Sequence, residues 1–490
     1  MDSILAGIGL VLDPAALIAI GIGTFLGILI GALPGLGSVV AITIVLPFTY
    51  SMGQVPAVAL LLAVYAGSIY GGSLSAILIN SPGTPAAAAT ALDGYAMARK
   101  GHAGEALGWG TLASVVGGLF STIVLILLAP QLARFALKFG PVEIFALILF
   151  ALTCIAAISR GNLASGLAAG CIGIFLSCVG SDPITGDLRF TFGWFPLTAG
   201  FNLIAVAVGI FALSEVFVRA LRPQERRYDV LTTGGLVLPS WAAVRPRLRQ
   251  FLKGSVLGTG IGILPGTGAA AASFISYAEA KRNSPNADKI GEGEPDGLIA
   301  AETANNAVTG GALIPTLALG IPGDVVTAVM LSTLLIQGIT PGVRLMSDNP
   351  EIIYAAFSAF FLINLALLPF GSVAARVFAH ILKVPAALLI PTIVILSLIG
   401  AYGVRGNWFD LVTALAAGIV GFALRLTNVP LAPVLIGMVL GPQLEIALRQ
   451  GLIIEDQDFS RFFTGHPLAL FFFAMTALAL LGPAFKRLRA

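Results

Sequence analysis

Residues 27–37 read GILIGALPGLG, and residues 258–268 read GTGIGILPGTG. Both fit G-x-x-I-G-x-L-P-G-x-G, 231 residues apart. A second pair follows in the same order. Gly71-Gly72 precedes Asn80-Ser81-Pro82-Gly83-Thr84, and Gly310-Gly311 precedes Gly320-Ile321-Pro322-Gly323-Asp324. Proline lacks an N–H and clashes with the preceding turn, and glycine permits positive φ, so each motif is expected to interrupt a helix. Two kinds of break in one order, occurring twice, predict two homologous membrane halves. These are residues 1–218 and 254–490, joined by a segment at 219–253. The motifs leave the relative orientation of the halves open, with an inverted arrangement the expected one.

Around these breaks the chain is apolar. Of its 490 residues 57% are hydrophobic and only 10% charged, and the mean hydropathy is +0.96. A soluble domain carries about 25% charged residues. The fold class is therefore an all-α polytopic membrane protein with interrupted or re-entrant helices and about 10–12 transmembrane spans. A lipid bilayer is its medium, and a net charge of +3 gives no reason to expect a nucleic-acid partner. No GxxxxGK[ST], HExxH or GxSxG motif occurs, so neither an ATPase nor an enzyme is expected. Cys154, Cys171 and Cys178 lack ligand spacing and read as packing residues.

The basic residues concentrate in a few places. Arg219, Arg222, Arg226, Arg227, Arg245, Arg247, Arg249 and Lys253 mark the joining segment as cytoplasmic, as do Arg99 and Lys100 for their loop. Lys486, Arg487 and Arg489 place the C-terminus on the same side. The first 98 residues hold no Lys, Arg or His, so a cleaved signal with a basic leader is not expected.

Interrupted helices at matching places in two halves point to a transporter site. Lipid cannot satisfy the freed amides and carbonyls, and a new helix start presents N–H groups to an anion. No Lys or Arg falls in 1–98, 254–280 or 290–343, which hold all four breaks. An anionic substrate would be held by helix-start amides, hydroxyls and Asn side chains. The expected substrate-binding residues are Asn80, Ser81, Pro82, Gly83, Thr84, Asn305, Asn306, Pro322 and Gly323. Gly31, Pro34, Gly35 and Gly37 would support them from one half, and Gly262, Pro265, Gly266 and Gly268 from the other. Ionisable groups at membrane depth are functional candidates by default, which singles out Asp324, Glu302 and Asp93 for cation coupling. No cofactor is expected. The co-transported ion would be H⁺ or Na⁺, and a Na⁺ would lie near Asp324. Residues 291–297, GEGEPDG, read as a loop. Two rival readings are a channel-like pore and a structural scaffold for a transporting partner.

The stretches GALPGLG, YGGSLSAILINSPGTPAAAATALDGYAMARKG, GEGEPDGLIAAETANNAVTGGALIPTLALGIPGD and ITPG resemble the large, TctA-type membrane subunit of the tripartite tricarboxylate transporters. The resemblance runs over nearly the whole chain. It implies a secondary transporter of the bacterial inner membrane that imports organic di- or tricarboxylates by cation symport. It also implies a small membrane subunit of about four helices and a periplasmic solute-binding protein.

Overall fold

The computed structural model describes residues 2–158, 163–221, 235–266, 268–342, 345–381 and 386–488. Arg222, Arg226, Arg227 and Arg489 lie outside the described residues. The first half comprises α1 (Asp2–Val11), α2 (Pro14–Ala32), α3 (Gly37–Val45), α4 (Gln54–Ile79), α5 (Ala88–Met97), α6 (Ala103–Ala136), α7 (Pro141–Ile158), α8 (Leu163–Ser177), α9 (Leu203–Ala207) and α10 (Ser214–Ala220). A π-type turn, Val208–Leu213, joins the last two into one rod. A short α11 (Trp241–Val244) follows. The second half comprises α12 (Leu248–Ile263), α13 (Gly268–Asn283), α14 (Pro295–Leu319), α15 (Val325–Ile336), α16 (Leu345–Asp348), α17 (Pro350–Ile381), α18 (Ala386–Arg405), α19 (Trp408–Leu426), α20 (Ala432–Ile454), α21 (Phe459–Thr464) and α22 (Pro467–Leu488). Among the described residues the strands are one small hairpin, Gly180–Ser181 paired with Leu188–Arg189.

This is an all-α polytopic membrane protein. Seven helical stretches of the described chain are long and apolar enough to cross a bilayer, and six shorter apolar helices accompany them. The helix α14 is not among them, although it has 25 residues. It carries Asp296, Glu302, Asn305 and Asn306, and every residue from Asp296 to Ala318 is buried. Its solvent is protein rather than lipid, so polarity is tolerated where side chains can answer it. The same enclosure holds for α4, buried without interruption from Ala57 to Ile79.

Small residues set the spacing around these two buried helices. Gly23, Gly27 and Gly31 of α2 lie on Leu60, Val64 and Ser68 of α4. Gly254, Gly258 and Gly262 of α12 lie on Thr303, Ala304 and Val308 of α14. A Cβ added at Gly27 would stand 2.9 Å from the Val64 Cα, and one at Gly258 2.7 Å from the Ala304 Cα. Both pairs run parallel, one turn of one helix against one turn of the other. Such contact needs residues without side chains, because in a membrane van der Waals packing replaces the hydrophobic effect between helices.

The two halves then interleave. Helix α6 packs on α14, and α17 on α4. Helix α3 lies on α15, while α13 lies on α5 and the 3₁₀ turn Pro85–Ala87. Further out, α8 packs on α20, and α19 on the α9–α10 rod.

Candidate transport site

The first kind of break has the same backbone path in both places. Leu33 leaves α2 at φ −78°, ψ 116°, and Leu264 leaves α12 at φ −80°, ψ 118°. Each precedes a proline, which pushes its neighbour out of the helical region. Gly35 and Gly266 then take φ of 82° and 84°, and Gly37 and Gly268 take 70° and 68°. These left-handed values are open to glycine at no steric cost.

The second kind of break also repeats locally. Helix α4 ends on Asn80 at φ 50°, ψ 32°, and α14 ends on Gly320 at φ 71°, ψ 18°. After each the chain folds back along the helix it has just left. The Gly83 N–H donates to the Gly72 carbonyl at 3.2 Å, and the Gly323 N–H donates to Thr316 Oγ1 at 3.2 Å. Within the second half the breaks are bonded together, the Gly266 N–H to the Gly323 carbonyl at 2.8 Å. Within the first half Gly83 packs directly on the Gly31 carbonyl.

The side chains at the two fold-backs differ. Asp324 caps α15: its Oδ1 accepts from the Thr327 N–H (2.8 Å) and from Thr327 Oγ1 (2.9 Å), while its own N–H donates to Thr327 Oγ1 (2.9 Å). Tyr65 of α4 donates to Asp324 Oδ2 at 2.5 Å, which ties the second-half break to the first-half helix. At the corresponding place in the first half, Asn80 is exposed and Ser81 and Pro82 are half-buried. Thr84 is buried, and among the described residues its Oγ1 has no hydrogen-bond partner.

Glu302, fully buried on α14, gathers residues that the two halves supply jointly. Its Oε1 accepts from Ser73 of α4 (2.7 Å), Ser114 of α6 (3.0 Å) and Asn306 (2.9 Å), and its Oε2 from Thr90 of α5 (2.6 Å). Among the described residues no Lys, Arg or His forms an ion pair with it. Asn305 and Asn306 are buried beside it, with both side-chain carbonyl oxygens unpartnered. Asp93 is buried too, but differently held. Its Oδ1 accepts the N–H groups of Gly291 (2.9 Å), Gly293 (2.8 Å) and Glu294 (2.8 Å), and its Oδ2 the Tyr277 hydroxyl (2.9 Å). It clasps the 291–294 loop that leads into α14.

The structure thus gathers Glu302, Asn305, Asn306, Ser73, Thr90 and Ser114 into one buried polar cluster. It joins Asp324 to Tyr65 and leaves the fold-backs at 80–84 and 320–324 without a hydrogen bond between them among the described residues. Ser114 and Tyr65 stand among several scattered polar groups of two largely apolar helices, and nothing in the sequence singles them out. Arg219 gave a signal of another kind, as a loop cation. Its guanidinium reaches the first break, Nη2 donating to the Pro34 carbonyl at 2.6 Å, while Nε donates to Glu215 at 2.9 Å. The region free of basic residues in sequence is therefore approached in space by one.

A cavity of about 280 Å³ opens beside the second fold-back. Leu319, Ile321, Pro341 and Gly342 form one wall and Gln443 and Gln450 of α20 supply side-chain polar groups. No charged side chain among the described residues lines it. It holds the ITPG turn foreseen as part of the signature, and it does not extend to Pro82 or Glu302.

On the rim, His466 stands between Glu143 (3.0 Å) and Glu455 (2.9 Å) just before α22. Its hydrogen bond to Glu455, with Glu143 beside it, holds the imidazole pKa above its usual value against partial burial.

Comparison with known proteins bears on what such a site does. The family profile described as "Tripartite tricarboxylate transporter TctA family" matches residues 17–436. A protein of Agrobacterium vitis described as an "Uncharacterized 52.8 kDa protein in TAR-I ttuC' 3'region" is 38% identical over 458 residues, covering 94% of this chain and 91% of the relative. A second from the same organism, an "Uncharacterized protein in TAR-II ttuC' 3'region", is 36% identical over 212 residues, 43% of this chain and 87% of the relative. No solved structure matches.

Proposed function

From the premise that this chain belongs to the tripartite tricarboxylate transporter TctA family, and is a subunit of such a transporter rather than an enzyme, we propose that it carries organic di- or tricarboxylates across the bacterial inner membrane by cation symport. A periplasmic binding protein delivers the substrate, and a small membrane subunit completes the complex.

The observation that carries this reading is the pair of fold-backs after Asn80 and Gly320. Each interrupts a wholly buried helix and brings amides, hydroxyls and a proline to membrane depth. Backbone left irregular at that depth is tolerated where it lines a path for a polar cargo. The substrate contacts are Asn80, Ser81, Pro82, Gly83 and Thr84 from one half, and Asn305, Asn306, Pro322 and Gly323 from the other. Gly31, Pro34, Gly35 and Gly37 brace them from one half, and Gly262, Pro265, Gly266 and Gly268 from the other. Arg219 compensates part of the substrate's charge at the cytoplasmic end.

Sidedness supports two inverted halves. Lys253 pairs with Glu279 (2.5 Å), Arg247 with Glu294 (3.0 Å), and Lys100 donates to the Glu292 carbonyl (2.6 Å). The α12–α13 hairpin thus opens on the basic face, which we take as cytoplasmic. The α2–α3 hairpin opens where Gln54 donates to the Gln337 carbonyl (2.8 Å) and Gln337 to that of Thr49 (2.5 Å), at the far ends of α4 and α15. The hairpins enter from opposite sides. On this reading the C-terminus and the 219–253 segment are cytoplasmic.

Uptake into proteoliposomes holding both membrane subunits, with the binding protein added, tests the assignment. Labelled organic acids are offered while pH and Na⁺ gradients are varied separately. Saturable accumulation above equilibrium is expected. Flux without saturation or gradient dependence would instead describe a pore.

A further inference from the structure

Three carboxylates lie buried around α14, and they differ in what answers them. Asp93 Oδ1 is held by three backbone N–H groups, which can only donate. A proton on that oxygen would forfeit those bonds, which confines an acid form of Asp93 to Oδ2, against Tyr277. Asp324 Oδ1 is likewise tied to the Thr327 N–H as the cap of α15. Glu302 has no backbone donor among its partners. Three of its four close partners are hydroxyls, from Ser73, Thr90 and Ser114, and a hydroxyl serves a carboxylate as donor and a carboxylic acid as acceptor. The shell shows one such alternative directly. The single proton of Ser114 has two acceptors in reach, Glu302 Oε1 at 3.0 Å and the Gly110 carbonyl at 2.9 Å.

The two oxygens of Glu302 are also unequal. Oε1 is met by Ser73, Ser114, Asn306 and, at 3.5 Å, Asn305, whereas among the described residues Oε2 meets Thr90 alone, at 2.6 Å. Resting on the transport reading above, we propose that Glu302 is the coupling group and that the ion it binds is a proton, taken up on Oε2 with Thr90 turning from donor to acceptor. No bond other than O–H forms or breaks; the proton comes from one aqueous face and leaves to the other.

Charge explains why such a proton would travel with an anion. Of the titratable groups on the elements packed about α14, Tyr70 bonds Thr111 (2.7 Å), Tyr65 bonds Asp324, Tyr277 bonds Asp93, Lys253 pairs with Glu279 and Glu105 with His102, while Tyr95 of α5 is half-buried and makes no bond to Glu302. Arg249, Lys281, Arg282 and Arg134 are exposed at the helix ends. Among the described residues no cation compensates the anion on Glu302. Ser73 follows Gly72, whose carbonyl holds the Gly83 amide of the first fold-back at 3.2 Å. A substrate carboxylate at that fold-back and an ionised Glu302 repel each other, so each site favours the other's neutral or occupied partner state. An alkali ion suits the shell less, because its oxygens already touch Glu302 at direct hydrogen-bond distance with no gap between.

Two measurements on the complete complex test this. The first compares wild type with Glu302→Gln, which mimics the protonated form. The variant is expected to lose accumulation driven by a pH gradient while still exchanging labelled carboxylate across the membrane. Undiminished proton-driven accumulation in Glu302→Gln, or accumulation in wild type driven by Na⁺ alone at equal pH, would overturn the proposal. The second reads the proton without any substrate, as the carboxylic-acid C=O infrared band on acidification. Acidification protonates the exposed carboxylates of both proteins, so the readout is wild type minus Glu302→Gln: one buried carboxylic-acid band is expected in that difference, and a difference without it overturns the assignment. If wild type carries no organic acid yet shows the Glu302 band, the transport reading fails while the proton site stands.

Discussion

The two fold-backs share a backbone and differ in chemistry. After Gly320 the chain is self-sufficient: Asp324 and Thr327 form a reciprocal cap, Tyr65 takes the remaining carboxylate oxygen, and Pro322 is buried. After Asn80 the chain is less satisfied: Asn80 is exposed, Pro82 half-buried, and Thr84 Oγ1 has no partner among the described residues. Because buried polar groups nearly always find partners, a hydroxyl left idle beside a broken helix is a place for a ligand to bond. The comparison divides the labour. On the transport reading proposed above, both turns face the cargo, with the 80–84 turn the more open of the two and the 320–324 turn also joining the halves.

The largest effect expected concerns what both turns hang from. Gly258→Val would press a side chain into the Ala304 backbone and should cost more than about 3 kcal/mol, seen as loss of folded protein in detergent. Gly260→Val, two residues on and on the opposite side of the same helix where a Cβ meets nothing within 4 Å, should be tolerated. Equal tolerance of both would mean that the α12–α14 contact does not hold the second turn in place.

The turns themselves come next. Asp324→Ala removes a cap, costing about 1–2 kcal/mol, and leaves the Tyr65 hydroxyl buried without its acceptor, costing about 1–3 kcal/mol more. A lowered thermal midpoint is expected. Thr84→Val removes no hydrogen bond, so the midpoint should hold while the substrate concentration for half-maximal uptake rises. If the two variants exchange these phenotypes, the division of labour is reversed.

The positions of all four breaks were legible because Pro and Gly act on the backbone within a residue or two. Leu33 and Leu264 are extended for the reason the Leu-Pro pairs gave, and Asn80 and Gly320 end their helices where the Pro-Gly pairs required. The all-α membrane class was legible from composition. The cluster around Glu302 was legible only in part. Glu302, Asn305 and Asn306 announce themselves as polar residues in an apolar run, but Ser73, Thr90 and Ser114 come from three other helices. Their meeting depends on how far α4 and α6 slide along α14, which is fixed by small residues such as Gly117 lying on the Thr303 carbonyl. Asp324 shows the opposite case. Its residue type suggested ion coupling, and the helix cap it makes, visible only from the positions of Thr327 and Tyr65, leaves that role untouched.

The smallest expected effect lies at the rim, where His466 ties α7 of the first half to the end of α20 in the second. An imidazolium held between Glu143 and Glu455 has a pKa above the ordinary 6.5 in the folded protein. Folding therefore favours the protonated ring. Its contribution is complete below the unfolded value of 6.5 and is lost as pH rises through the folded one. The site is partly open to solvent, so the loss should not exceed about 1 kcal/mol. A thermal midpoint followed across neutral pH should fall on the alkaline side in wild type and lose that component in His466→Gln. Because the clasp joins the halves far from both fold-backs, the same titration should leave the difference between Asp324→Ala and Thr84→Val unchanged. A pH-dependent difference would mean that the rim and the turns move as one unit, and the contrast between the turns would then belong to the whole interface rather than to Asp324 and Thr84.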